Sequence, residues 1–309
     1  LEETELEAAQ RKVADLEAEL GAEHLDLVEP LAALMMIYYG QAQYVKAEEV
    51  CRRVLSMIEK ALGPEHPAVG DSLNNIAIFL QAQGSYAEAR PLLERSLAIS
   101  EKAFGPEHPD VGDSLNNLAA LLHSQGSYAE ARPLFERSLT ISEKALGLEH
   151  PDVGQSLNNL ATLLKDQGSY AEARPLYERS LAIREKALGP EHPDVASSLN
   201  NLAGLFDKQG SYAEARPLYE RSLAIREKVL GPEHSDVAGS LNNLANDLKG
   251  QGAYAEARPL FERSLAIYEK THGPEHPRVA LVLNNLAGLL EAQGSYAEAL
   301  PLMERALAI

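Results

Sequence analysis

Seven histidines, His24, His66, His108, His150, His192, His234 and His276, recur at a 42-residue interval, each directly after a glutamate. Imidazole beside carboxylate is the pairing used in zinc sites and in general acid–base catalysis, so those chemistries are weighed first. Their spacing argues against both. Residues one repeat apart on a helical-hairpin array are two helices apart, and at roughly 8–10 Å between axes they cannot share one coordination shell. Each Glu-His reads instead as a loop element that caps the helix after it. His123 and His272 lie outside the series and read as isolated. The GDSL serines Ser72 and Ser114 resemble a hydrolase motif, but the equivalent tetrapeptides are GQSL, ASSL, AGSL and ALVL, and no partner histidine and aspartate accompany them. Neither a GxSxG elbow nor a GxxxxGK phosphate loop is present. The lone Cys51 reads as a buried thiol in a reducing compartment, here the cytoplasm. Catalytic residues, metal ligands and cofactors are therefore expected to be none.

The interval of the histidines is the interval of the whole chain. Of 309 residues, Gly21 to His272 form six blocks of 42, and Gly273 to Ile309 a seventh of 37. Repeats start at 21, 63, 105, 147, 189, 231 and 273, and residues 1–20 precede them. A period in this range is the signature of a solenoid, in which each unit buries its apolar faces only by stacking on its neighbours. The formal charge is −18, which disfavours nucleic acid and anionic membrane surfaces as partners. The longest apolar stretch, Leu31 to Tyr39, is too short to span a bilayer.

The block from Gly105 predicts two helices. Helix A starts at Pro109, whose ring presets φ, with Asp110 near the positive end. Val111, Leu115, Leu118, Ala119 and Leu122 recur at helical spacing until Gln125-Gly126. Helix B is predicted over 129–146, burying Ala131, Leu134, Phe135, Leu139 and either Ile141 or Ala145. Arg132 and Glu136 form an exposed i,i+4 pair, and Gly147 supplies a left-handed cap. Ala119 and Ala131 mark the point where the two helices approach most closely.

The motifs LNNLAxLxxxQGSYAEARPLxERSLAIxEK and GPEHPDV resemble the tetratricopeptide array, and the 42-residue period resembles kinesin light chains and their bacterial relatives. The resemblance covers 63–309 closely and 21–62 loosely. It implies an all-α fold, an α-α superhelix of seven helix-turn-helix repeats with an N-terminal helix. The family's two small residues and turn glycine fall on Ala77, Ala89 and Gly84. The first block departs from this pattern: Ala32-Ala33 replace an asparagine pair, Met35 the small alanine and Ala42 the turn glycine. Residues 1–20, with Leu6, Ala9, Val13, Leu16 and Leu20 at heptad-like spacing, read as a capping helix on the first repeat or as the stub of a dimerising coiled coil. At the other end Leu300 replaces a repeated arginine and Met303 an aromatic or leucine. This predicts that the natural chain continues or that the end packs on another copy, so a homo-oligomer through either end is expected as an option.

What remains for binding is a ladder of amides on helix A: Asn75, Asn117, Asn159, Asn201, Asn243 and Asn285, preceded by Asn74, Asn116, Asn158, Asn200, Asn242 and Asn284. The resemblance implies that A helices line a concave groove. A carboxamide presents both donor and acceptor, so such a row can pair with the backbone of an extended peptide. The alternative use of each pair is a bond to the neighbouring repeat, and sequence leaves open which asparagine faces the groove. Selectivity is expected from variable positions on the same face, among them Asp71, Asp113, Gln155, Ser197, Gly239 and Leu281. That face reads as amide-rich and nearly neutral, without arrayed cations. The expected function is a non-enzymatic protein-interaction scaffold taking a protein or peptide ligand in the groove. The alternatives are a sensor or scaffold segment of a larger bacterial signalling protein and a self-assembling architectural array.

Overall fold

The computed structural model describes residues 4–309, which hold fifteen α-helices, one short 3-10 turn and no strand. A first helix, α1 (Glu5–Leu20), and the turn Leu25–Leu27 precede seven helical hairpins. Their A and B helices are α2 (Val28–Gly40) and α3 (Tyr44–Leu62), α4 (Pro67–Ala82) and α5 (Tyr86–Phe104), and α6 (Pro109–Ser124) and α7 (Tyr128–Leu146). There follow α8 (Pro151–Asp166) and α9 (Tyr170–Leu188), α10 (Pro193–Lys208) and α11 (Tyr212–Leu230), α12 (Ser235–Gly250) and α13 (Tyr254–His272), and α14 (Pro277–Ala292) and α15 (Tyr296–Ala308). Two compact units result, one ending at Leu148 and one running from Glu149 to Ile309.

Local chemistry sets each boundary. His108 Nδ1 accepts the backbone N–H of Asp110 at 3.3 Å, satisfying one of the orphan donors at the start of α6, and Pro109 takes a position that needs none. The same imidazole cap recurs at His66, His150, His192, His234 and His276, and His24 caps the short turn. Helix A ends where Gly126 turns left-handed at φ 74° and Ser127 N–H bonds the Leu122 carbonyl at 2.8 Å. Helix B begins one residue earlier than the sequence indicates, at Tyr128, and ends on Gly147 at φ 85°.

Within a hairpin, Ala119 and Ala131 are both fully buried, which lets α6 and α7 approach closely. The closeness is sealed by a hydrogen bond that the hydrophobic pattern did not reveal: Ser138 Oγ donates to the Gly112 carbonyl at 2.7 Å. Ser96, Ser180, Ser222 and Ser264 do the same to residues 70, 154, 196 and 238. Accordingly Ser138 is buried where Leu134 and Leu139 are only half-buried, and of the two alternatives Ile141 is inside and Ala145 outside.

Between repeats, a conserved geometry of arginine ties one helix B to the one before it. Arg95 reaches Glu59 at 2.7 Å and the Pro64 carbonyl at 3.0 Å, and Arg263 reaches Glu227 and the Pro232 carbonyl in the same way. Arg53 makes the identical pair of contacts to Glu17 and the Ala22 carbonyl, each at 2.7 Å. Helix α1 therefore occupies the register of a helix B. It packs on α2, where Gln10 donates to the Tyr38 hydroxyl at 2.9 Å and Val13 is buried. The clue in the sequence was the 42-residue offset that aligns Glu17, Leu20 and Gly21 with Glu59, Leu62 and Gly63. At the far end, Leu300, Met303 and Leu307 of α15 face solvent.

Two positions break the repeat's own rules. Ala42 holds the left-handed turn at φ 56° where every later repeat has glycine. A Cβ there costs roughly 1–2 kcal/mol, less the entropy that glycine gives up on folding. Ala42→Gly is expected to strengthen amide exchange protection in α2 and α3 by about 0.5–1 kcal/mol; unchanged protection would show that the turn is not strained. Asp247 is 0 % exposed where sister repeats bury Leu121, Leu163, Leu205 and Leu289. Its Oδ2 accepts from Gln251 Nε2 at 2.6 Å, and its Oδ1 has no partner. Burial pushes the carboxyl up from 3.8 to about 6, opposed by the Gln251 bond and Arg216 and reinforced by Asp207 and Glu220. A proton held more tightly in the native state favours folding below the unfolded value, and that benefit is lost as pH rises through about 6. The two-unit difference corresponds to about 3 kcal/mol. Asp247→Leu is expected to raise the thermal midpoint more at neutral pH than near pH 4, where only the gain from apolar burial remains. Equal gains at both pH values would rule out titration of this carboxyl as the cause.

Candidate binding groove

Within each unit the A helices of successive repeats touch, α4 with α6 in the first unit and α8, α10, α12 and α14 in series in the second. The B helices are joined mainly through long side chains, as in Arg216, which holds Glu220 at 2.8 Å and Glu256 of the next repeat at 2.9 Å. The side where helices approach more closely is the inner one, so helix A faces the concavity of each unit. This is the face that carries the asparagines.

The asparagine pairs bond to each other across repeats. Asn201 Nδ2 donates to Asn158 Oδ1 at 2.9 Å, Asn243 to Asn200 at 3.0 Å and Asn285 to Asn242 at 2.9 Å. The first residue of each pair is the acceptor, and Asn158 and Asn242 are buried. The second is the donor at Asn201, Asn243 and Asn285 and stays half-buried, as does Asn159, whose Oδ1 accepts from Gln155 Nε2 of its own helix at 2.7 Å. Asn284 is exposed. In the first unit Asn75, Asn116 and Asn117 are half-buried on the same face, and Asn74 Oδ1 is buried without a partner. At the N-terminal end Ala32 and Ala33 interrupt the ladder, and a cavity of about 520 Å³ opens there against Met36, Ile37 and Gln41.

Variable positions modulate the groove floor. Thr162 bonds the Tyr177 hydroxyl at 2.8 Å, and at the equivalent Gly204 a Cβ would stand 3.4 Å from the Tyr219 hydroxyl. The expectation of a groove without cations is corrected by two arginines that come from helix B. Arg184 threads between the A helices to Gln155, the Asp194 carbonyl and Ser198 Oγ, the last at 2.9 Å. Arg226 bonds the Asp236 carbonyl at 3.2 Å, Ser240 Oγ at 2.8 Å and Ser197 Oγ at 3.2 Å. Both occupy a position that the helix B pattern assigns to the interface, and nothing in that pattern signals that they pass through it.

The other candidates for chemistry are structural. Ser72 and Ser114 are buried and donate to the carbonyls of Ala68 and Asp110 at 3.0 and 2.9 Å. The Cys51 thiol contacts the Ser72 carbonyl at 3.5 Å, and burial pushes it up to about 12, far from a nucleophile's range. Each series histidine uses Nδ1 on its helix cap. His272 is not isolated, because four residues on it meets His276 edge to face with centroids 4.6 Å apart. Among the described residues no three of His, Cys, Asp or Glu converge as metal ligands, and no helix is long and apolar enough to cross a membrane.

Repeated antiparallel hairpins with small residues at each crossing, stacked through A-helix contacts, define an α-solenoid of helix-turn-helix repeats. Tetratricopeptide repeat models match residues 36–68, 69–144, 110–186, 152–228 and 236–309, and the chain belongs to that family. A kinesin light chain-like protein of Podospora anserina with nearly identical TPR-like repeats is 35% identical, over 67% of this chain and 99% of its own, with a TM-score of 0.56. BtubC of P. vanneervenii is 24% identical over 75% of this chain and 91% of its own, with a TM-score of 0.59. A Rap protein complexed with Competence and Sporulation Factor shares the fold at 14% identity, over 97% of this chain and 89% of its own, with a TM-score of 0.58. A search of curated proteins finds no match. The protein is thus a kinesin light chain-type tetratricopeptide array, a class whose general role is protein interaction and which is typically non-catalytic.

Proposed function

We propose that this array is a non-enzymatic scaffold that takes an extended peptide or partner segment along its A-helix groove, with the second asparagine of each pair as the backbone-reading group. The observation that carries the reading is the line of half-buried carboxamides Asn159, Asn201, Asn243 and Asn285, the last three each held by the repeat before it and Asn159 by Gln155 of its own helix. Within the first unit Asn75 and Asn117, beside Asn116, hold the equivalent positions, and within the second the first-position residues Asn158, Asn200 and Asn242 serve as supports. A carboxamide already oriented by one hydrogen bond loses little further entropy when it binds a ligand amide. The solved Rap complex is in keeping with a solenoid of this fold holding a partner. A cytoplasmic setting suits the single buried thiol of Cys51.

The supports and the readers can be separated because they share the same bonds. Asn201→Ala with Asn243→Ala, and Asn158→Ala with Asn200→Ala, each remove the same two inter-repeat hydrogen bonds. A linear-peptide array supplies a binding sequence, and calorimetry compares the two variants. The first pair is expected to lose about tenfold in affinity, about 1.4 kcal/mol, and the second less than about threefold, at similar loss of stability. Equal losses would show the asparagines to be inter-repeat ties only.

A further inference from the structure

Several departures from the repeat pattern gather where the sixth repeat meets the seventh. There a cleft of about 310 Å³ opens on the groove face, walled by Arg226, Gly239, Asn243, Tyr268, Arg278 and Leu281 among others. Four departures from the repeat consensus build it. Arg278, in the first turn of α14, stands where Ala68, Asp110, Asp152, Asp194 and Asp236 stand elsewhere, so one charge is reversed. Tyr268 replaces Ser100, Ser142, Arg184 and Arg226, and its ring lies under the Arg278 guanidinium at 5.6 Å. Gly239 makes room for the Tyr268 hydroxyl, which an added Cβ would approach to 3.2 Å. Leu281, at a position otherwise polar or glycine, is 53% exposed and forms an apolar lip.

The cations here are unlike the rest. Arg90, Arg216 and Arg258 each hold two glutamates, whereas the Arg278 side chain meets no carboxylate within ion-pair distance among the described residues. Arg226 spends three of the five donors of a guanidinium on Asp236, Ser240 and Ser197, which fixes its plane and leaves two. The opposing charge in the wall is Asp236, whose carboxylate lies toward His234 at 3.8 Å. Two arginines against one aspartate leave a locally positive cleft in a chain of net charge −18.

We propose that this cleft is a carboxylate-accepting subsite of the groove, holding an acidic group of the bound segment between Arg226 and Arg278 while its methylenes rest on Leu281 and Tyr268. The inference rests on the groove reading above and adds register to it. A row of amides can bind a backbone at any 42-residue offset, and one charged anchor selects a single one. The guanidinium fork suits a planar carboxylate, and a preorganised Arg226 loses little freedom on binding it.

The test uses three N-acetylated pentapeptides with the whole chain: Ac-Gly-Gly-Glu-Gly-Gly-amide, its Gln counterpart, and Ac-Gly-Gly-Gly-Gly-Gly with a free C-terminus. Binding is followed by two-dimensional NMR at the Gly239 and Tyr268 amides and the Arg226 and Arg278 Nε–H groups. The Glu peptide is expected to bind about tenfold more tightly than the Gln peptide, and Arg278→Asp, which restores the residue of the sister repeats, is expected to abolish the difference. A preference for the free C-terminus over Glu would assign the carboxylate to a chain end, with the same dependence on Arg278. Equal shifts from Glu and Gln peptides, or shifts confined to Asn201 and the groove of α8 and α10, would overturn the subsite and leave the groove reading standing. No shift at these four residues with any peptide would overturn the subsite, the groove reading then being judged by the array screen alone.

Discussion

A single helical hairpin has an apolar stripe on each side and only its own partner helix to bury one of them. Everything else in this protein follows from having to bury the second against a neighbour. Close packing inside the hairpin comes first, through Ala119 with Ala131 and the serine of helix B bonding a carbonyl of helix A. Stacking comes next, through A-helix contacts and the arginine that grips both a glutamate and a loop carbonyl of the preceding repeat. Because these ties are identical from repeat to repeat, α1 can take the place of a helix B with the same two contacts from Arg53.

The inter-repeat constraint also makes the groove. In the second unit it makes Asn158, Asn200 and Asn242 acceptors, two of them buried, and Asn201, Asn243 and Asn285 half-buried donors, so one row of side chains both ties the A helices and lines the inner face. Such double use explains why a pair recurs where one asparagine would satisfy either purpose.

Departures from the consensus fall into two kinds. Ala42 and Asp247 oppose the fold, one by a left-handed alanine and the other by a carboxylate in a leucine's place. Arg184, Arg226, Tyr268 and Arg278 change the A-helix layer instead, the three arginines bringing cations to it and Tyr268 a ring beneath Arg278. A helix B residue reaches the helix A layer because helix B packs directly on the A helices, so that Arg184 and Arg226 extend to Ser198 and Ser240 of the next repeat.

The order of helices, their caps, the glycine turns and the small-residue crossings were legible from residue order, because each depends on contacts within a few positions or on a pattern repeated every 42 residues. Even the histidine series resolved correctly as caps, since a helix start needs an acceptor two residues upstream. The buried serines were not legible, because a polar residue on an apolar stripe gives no sign of the carbonyl it will meet. Nor was the contact of His272 with His276, which depends on how the helix end and the following loop fold back. Sequence determined the repeat and the rows of side chains on it. Tertiary structure alone decided which asparagine is covered, which arginines cross to the groove and where its charge lies, because those are set by residues about 30 to 43 positions apart meeting through the stacking of one hairpin on the next.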